Sequence, residues 1–266
     1  MENMNSMWDV DSLVRVQSKN LDRYRRTFLK QAVAEFRFPT LMELGERRPP
    51  AAFVAALRKE YPTIELQNEV TLTVGGESAG SINKHIFRSR KPGWTVSLKE
   101  SAFSVETNVY PGFAEMLTHV LQVVAAASKV IDSEFFTRVG LRYINVIDSG
   151  TKPEGGGWVN HDLVAPLQSH YFQGIQEYAG TVQLGTEDGG CTLQHGIRKK
   201  MPTKDQDPKD VWPDYVLDID VFRNIVSIED AEQVIKAMHT QAFDLFDWAL
   251  GPAAREYLSS EKKPSN

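Results

Sequence analysis

The chain has 266 residues, 41% hydrophobic and 24% charged, enough apolar material for one large core or two small ones, which excludes a chain disordered throughout. Its net charge of −5 at pH 7 excludes the strongly basic domain of a dedicated nucleic-acid binder, leaving only a local basic patch for that role. One cysteine, Cys191, excludes an internal disulfide and a cysteine zinc site, and points to a reducing cytoplasm.

In chain order, residues 1–30 read as an N-terminal arm, the first twenty weakly ordered. Arg15, Lys19, Arg23, Arg25, Arg26 and Lys30 form a basic run broken by Asp22, with Tyr24 and Phe28 interleaved. Such a run can grip a phosphate backbone or an acidic protein; a solvated arm is the plainer reading. Residues 31–38 alternate as a strand, with Ala34, Phe36 and Phe38 on one face and Glu35 and Arg37 on the other. Pro49-Pro50 opens a helix with an apolar stripe of Phe53, Val54, Leu57 and Tyr61, and Pro62 stops it.

Strands at 64–74, 85–90, 94–99 and 103–109 form a meander, with turns at 75–80 and at Pro92-Gly93. A long helix follows, its stripe made of Phe113, Met116, Leu117, Val120, Leu121 and Val124. A strand at 137–147 closes the first half, residues 31–148. Residues 149–179, with Pro153 and Gly155-Gly156-Gly157, read as a linker and irregular segment.

The second half, 180–258, repeats the pattern. Strands at 180–184, 191–198 and 215–222 precede a helix capped by Ser227 and Asp230, with Ile228, Ala231, Ile235, Met238, Ala242 and Leu245 as its stripe. Gly251-Pro252 ends it, 199–213 is a polar loop, and 259–266 reads as a disordered tail. The expected fold is α+β in two related halves. Each is an antiparallel β-meander followed by a long amphipathic helix packed on the sheet. No segment reads as membrane-spanning: the apolar run 120–131 is short and holds Gln122, Ser128 and Lys129.

Candidate chemistry lies in charged residues on strands. Arg138 and Arg142 share one face of 137–147, and Asp218 and Asp220 share one face of 215–222. Two carboxylates so spaced can hold a divalent cation, but no third acidic ligand is marked, and pairing with arginines of a neighbouring strand is the alternative. With Glu35 and Arg37 they make six charges that could meet on one sheet face as a binding surface. His119, His161, His170, His195 and His239 have no metal-ligand spacing, so neither a metal nor a cofactor is expected. Cys191 is expected to have no chemical role, because no base is positioned beside it.

The segments 32–38, 50–62, 136–145 with its Gly-Leu-Arg-Tyr-Ile-Asn run (140–145), and 217–222 with Leu-Asp-Ile-Asp resemble a sporadically distributed prokaryotic protein family without an assigned activity. The resemblance runs from about Lys30 to Leu250. It implies a prokaryotic cytoplasmic protein and supplies no catalytic residue; patchy distribution is a property of defence and toxin–antitoxin genes. The expectation is a non-enzymatic binding or regulatory protein, the partner or neutraliser of a toxin or effector encoded by a neighbouring gene. The alternatives are a ligand sensor or enzyme with a groove formed by Arg138, Arg142, Asp218 and Asp220, and nucleic-acid binding through the basic arm. The oligomeric state is left open.

Overall fold

The computed structural model describes residues 8–71, 80–150, 156–169, 171–173, 175, 177–200 and 213–261. Most of the expected 75–80 turn, Pro153, Gly155, His170, most of the 199–213 loop and the end of the tail lie outside the described residues.

The fold is α+β. Its strands are β1 (Leu29–Arg37), β2 (Thr63–Thr71), β3 (Gly80–Arg88), β4 (Trp94–Leu98), β5 (Ala102–Thr107), β6 (Phe135–Ile147), β7 (Ala179–Thr186), β8 (Gly189–Arg198) and β9 (Asp214–Ser227). Its helices are α1 (Ala51–Leu57), α2 (Phe113–Ala127), α3 (His161–Gln168), α4 (Ala231–Ala249) and α5 (Pro252–Ser259). The strands form one sheet in the order β2-β3-β4-β5-β1-β6-β9-β8-β7. The pairs β2–β3, β3–β4, β4–β5, β1–β5 and β7–β8 are antiparallel. The chain divides into two compact units. Unit 1 takes 1–30, 142–221 and 237–266; unit 2 takes 31–141 and 222–236. No described helix is long and apolar enough to cross a membrane.

In unit 2, the alternation read from the sequence becomes the sheet's two sides. Ala32, Ala34 and Phe36 of β1 are buried, while Val33 and Glu35 between them are half-exposed. The buried side carries an aromatic cluster: Phe36 stacks on Phe103 at 4.7 Å and meets Phe136 edge-on at 5.0 Å. Helix α2 packs against β5 and α1. Its buried stripe is Met116, Val120, Val123, Val124 and Ala127, whereas Leu117 and Leu121 are half-buried. Gly93 takes φ 107° at the turn into β4, a conformation open to glycine, after a proline that fixes the turn's entry.

In unit 1, Tyr215, Leu217, Ile219 and Val221 line the buried side of β9, and Met238, Ala242 and Ala249 of α4 are buried as well. Residues 8–30 are tied down rather than free. The Ser18 amide donates to Asp244 at 2.7 Å and its hydroxyl to Asp247 at 2.8 Å. The amides of Arg25 and Arg26 donate to the Leu258 carbonyl at 2.9 and 3.1 Å.

Three elements differ from the sequence reading. Helix α3 lies within 149–179, begins with an Asn160 cap on the Asp162 amide at 3.0 Å, and tolerates Pro166 inside it. Gly251-Pro252 ends α4 and also starts α5, since a proline fits the first helical position. Ser227 is the last residue of β9 rather than a helix cap; the turn 228–230 intervenes before α4.

Candidate functional site

The six strand charges separate into two groups, one in each unit. In unit 2, Arg37 donates to Glu35 at 2.7 Å, and Arg138 approaches the same carboxylate at 3.7 Å. The Arg138 guanidinium lies over the Phe222 ring, 4.7 Å from its centroid. Gly140 makes this posture possible: a Cβ there would sit 2.6 Å from Arg138 Nη1. Arg138 therefore lies back along its own strand, held between a carboxylate and a ring. Neither Gly140 nor Phe222 was marked as a partner by the sequence, because each acts only through its neighbour.

In unit 1, Arg142 grips Asp218 with two parallel bonds, Nε to Oδ1 at 2.8 Å and Nη2 to Oδ2 at 2.5 Å. The Asp218 hydrogen bond raises the Arg142 pKa above its ordinary value against the opposing effect of burial, with further attraction from Asp218 and Asp220. The Arg142 side chain is 49% exposed and that of Asp218 14%. Removing Arg142 leaves a mostly buried carboxylate without its guanidinium and should cost more than removing Asp218, whose partner can reach water, and a double-mutant cycle of Arg142→Ala and Asp218→Ala should give a coupling of about 1 kcal/mol by urea unfolding. A coupling indistinguishable from zero would show that the bidentate geometry is not kept in solution.

The basic arm is engaged internally in part. Arg25 pairs with Glu261 at 2.7 Å, Arg26 sits 4.6 Å over the Tyr257 ring, and Arg15 lies 5.0 Å over Trp8. Lys30 lies close enough to help lower the Asp148 pKa, after the dominant Lys200 hydrogen bond. Arg23 and Lys19 are exposed or half-exposed.

Three of the described histidines pair with tyrosines, while His85 meets the Glu46 carbonyl at 2.9 Å and His161 meets Gln168 at 2.6 Å. His119 Nδ1 meets Tyr61 Oη at 2.7 Å beneath a Trp94 ring stacked at 4.0 Å. His195 Nδ1 meets Tyr215 Oη at 2.7 Å. His239 bridges Tyr143 at 3.0 Å and Asp22 at 3.2 Å. Hydrogen bonding to His239 lowers the Asp22 pKa. The Tyr–His pairs join residues 20 to 96 positions apart, so no local spacing could reveal them. Among the described residues no group of three or more His, Cys, Asp or Glu side chains could hold a metal ion. Cys191 is fully buried in β8.

Burial lowers the pKa of His85, His119 and His195. An unfolded histidine gains its proton near about pH 6.5, while these folded ones resist it, so stability should fall as the pH drops below that value. The loss continues until the lowered folded pKa values are passed. The carboxylates Asp22 and Asp148, also lowered, add their loss only in more acidic solution. Urea midpoints at about pH 7.5 and about pH 5.5 should thus differ, and His119→Gln should reduce the difference. An unchanged difference in the variant would remove His119 from this account.

A hollow of about 440 Å³ in unit 2 is lined in part by Glu43, Glu46, Arg48 and the Pro49-Pro50 pair. None of the six strand charges lines it. Compared with family models, curated proteins and solved structures, the chain finds no match in any of the three.

Proposed function

We propose that the chain is a non-enzymatic binding protein whose recognition surface includes the half-exposed charged side of β1 and β6 in unit 2. The observation that carries this reading is Arg138, laid flat on Phe222 at 4.7 Å and steered by Glu35, which Arg37 in turn holds at 2.7 Å. A preorganised arginine beside an aromatic ring loses little side-chain entropy on binding, and both residue types are enriched where interfaces concentrate their energy. A protein partner fits this surface better than a small ligand, since the charges are already matched and do not line the hollow of unit 2.

The resemblance to a sporadically distributed prokaryotic family adds the proposal that the partner is a toxin or effector encoded nearby, and that the protein acts in the cytoplasm. The same reading takes the two halves as related.

The test uses tagged wild-type chain and two variants, Arg138→Ala and Gly140→Ala, against lysate of the source organism. Gly140→Ala keeps the arginine but pushes its guanidinium away, at a stability cost of about 1 kcal/mol or less because the displaced group is a flexible side-chain end. The wild type should retain a partner that both variants lose while still melting cooperatively. Equal retention by all three would place recognition elsewhere.

A further inference from the structure

Residues 8–24 reach α4 through polar groups. No residue in this stretch is buried: Val10, Leu13, Val14 and Leu21 are half-exposed, and Trp8 and Val16 are exposed. The helix's side of the contact is polar too. Gln241, Asp244 and Asp247 are each three residues from the next, neighbours along one side of α4, and all three are buried. The Gln241 side chain donates to the Val10 carbonyl at 2.9 Å, Asp244 accepts the Ser18 amide at 2.7 Å, and Asp22 meets His239 at 3.2 Å. Asp247 gathers three more contacts. It accepts from the Ser18 hydroxyl at 2.8 Å, from the Asn20 side-chain amide at 3.5 Å and from the Tyr24 hydroxyl, while Arg255 of α5 approaches it at 3.4 Å. Beyond Tyr24 the attachment changes. The Arg25 and Arg26 amides are bonded to the Leu258 carbonyl, and the buried Phe28 stacks on Tyr257 at 5.5 Å.

We infer that residues 8–24 are a strap that undocks from α4 as one unit, swinging about Arg25 and Arg26 while the rest of unit 1 stays folded, and that Asp247 is its latch. Segments that bury little apolar surface and are held by hydrogen bonds near water open locally at low free energy. Each bond lost on undocking is exchanged for one to solvent, and the carboxylates of Asp244 and Asp247 regain the hydration that the strap denies them. Residues 25–28 lack that freedom, since their release would expose the Phe28 ring. The strap moves as a unit because Ser18, Asn20 and Tyr24 share one carboxylate, so weakening it loosens all three together. The body keeps its own bonds when the strap leaves: His239 retains Tyr143 at 3.0 Å, and Asp247 retains Arg255. The strap therefore gates access to the Gln241–Asp244–Asp247 side of α4.

The experiment is native-state hydrogen exchange read by mass spectrometry on the full chain, for wild type, Asp247→Ala and the double variant Ser18→Ala with Tyr24→Phe, which alters the strap alone. In wild type, amides of 9–24 should exchange faster than those of 238–249. Low urea should leave the strap's rate unchanged, because a local opening exposes little surface. Both variants should speed strap exchange by about tenfold or more, and the double variant should leave 238–249 at its wild-type rate. Asp247→Ala changes the helix itself, so the double variant and the wild-type urea dependence separate a latch from general loosening. Strap and helix rates that rise together in the double variant, or that share one urea dependence in wild type, would overturn the inference. So would wild-type strap amides that exchange as fast as an unstructured chain, or strap rates that the double variant leaves unchanged.

Discussion

Val120→Asp and Ile235→Asp should each abolish cooperative folding at neutral pH. Val120 of α2 and Ile235 of α4 are 0% and 1% exposed, each at the centre of its helix's apolar stripe. An aspartate at either site must bury a charge without a partner or expose the stripe. The cost is on the order of 4 kcal/mol or more, comparable with the whole stability of many domains. Leu117→Asp makes the internal comparison. Leu117 lies on the same helix but is half-buried, so its carboxylate can reach water and the loss should be clearly smaller. Urea unfolding followed by far-UV circular dichroism reads all three. A Val120→Asp variant with the wild-type midpoint would mean that α2 does not seat its stripe on the sheet.

That comparison also shows how much periodicity can decide. A spacing of three and four placed α2 and α4 and most of their buried residues, because a helix that must cover a sheet keeps its apolar positions on one side. It could not separate Leu117 from Val120, since both lie within the stripe's arc and only the packed neighbour determines which is deeper. Alternation placed β1, β4, β5 and β8 for the same reason. It ended β9 early at Phe222, because the next position on the buried side is an arginine, Arg223, and the alternation then breaks at the exposed Ile225, which has φ 50°. Helix α3 is eight residues long with Pro166 inside it, too short for a period to accumulate.

The candidate site was legible at the level of residue type and strand face. Arginines and aspartates on neighbouring strands called for partners, and Arg142 with Asp218 makes such a pair. What alternation could not supply was which charges share a neighbour. Arg138 turns to Glu35 and Phe222, and the reason is the missing side chain at Gly140. Within a strand pattern a glycine signals only a weak position or a close approach; what approaches it is a tertiary fact. The Tyr–His pairs were hidden for a related reason. Each member is unremarkable alone, and burial gives it meaning only once the fold brings the two rings together.

Gly251→Ala should be the most damaging single-methyl change in unit 1. Gly251 stands between α4 and α5, and its backbone crosses that of Gly157 and Trp158. An added Cβ would overlap the Gly157 carbonyl group and lie 3.0 Å from the Trp158 carbonyl carbon. Backbone angle is not the obstacle, since Gly251 has φ −85°, which alanine adopts readily. The obstacle is that neither strand of chain can yield. The Gly251 amide donates to the Trp158 carbonyl at 3.0 Å, and the Ala253 amide donates to the Gly157 carbonyl at 3.0 Å, so moving apart breaks both bonds. Overpacking against fixed backbone together with two lost hydrogen bonds should cost roughly 3 kcal/mol or more. At Gly140 the atom in the way is the end of an arginine side chain, which can rotate aside. The two alanine variants therefore form a matched pair: Gly251→Ala should lose stability heavily, and Gly140→Ala should lose little. Thermal unfolding of both in one buffer decides it. Near-equal melting temperatures would mean that the 157–158 segment moves freely away from Gly251, and that the crossing does not fix the start of α5.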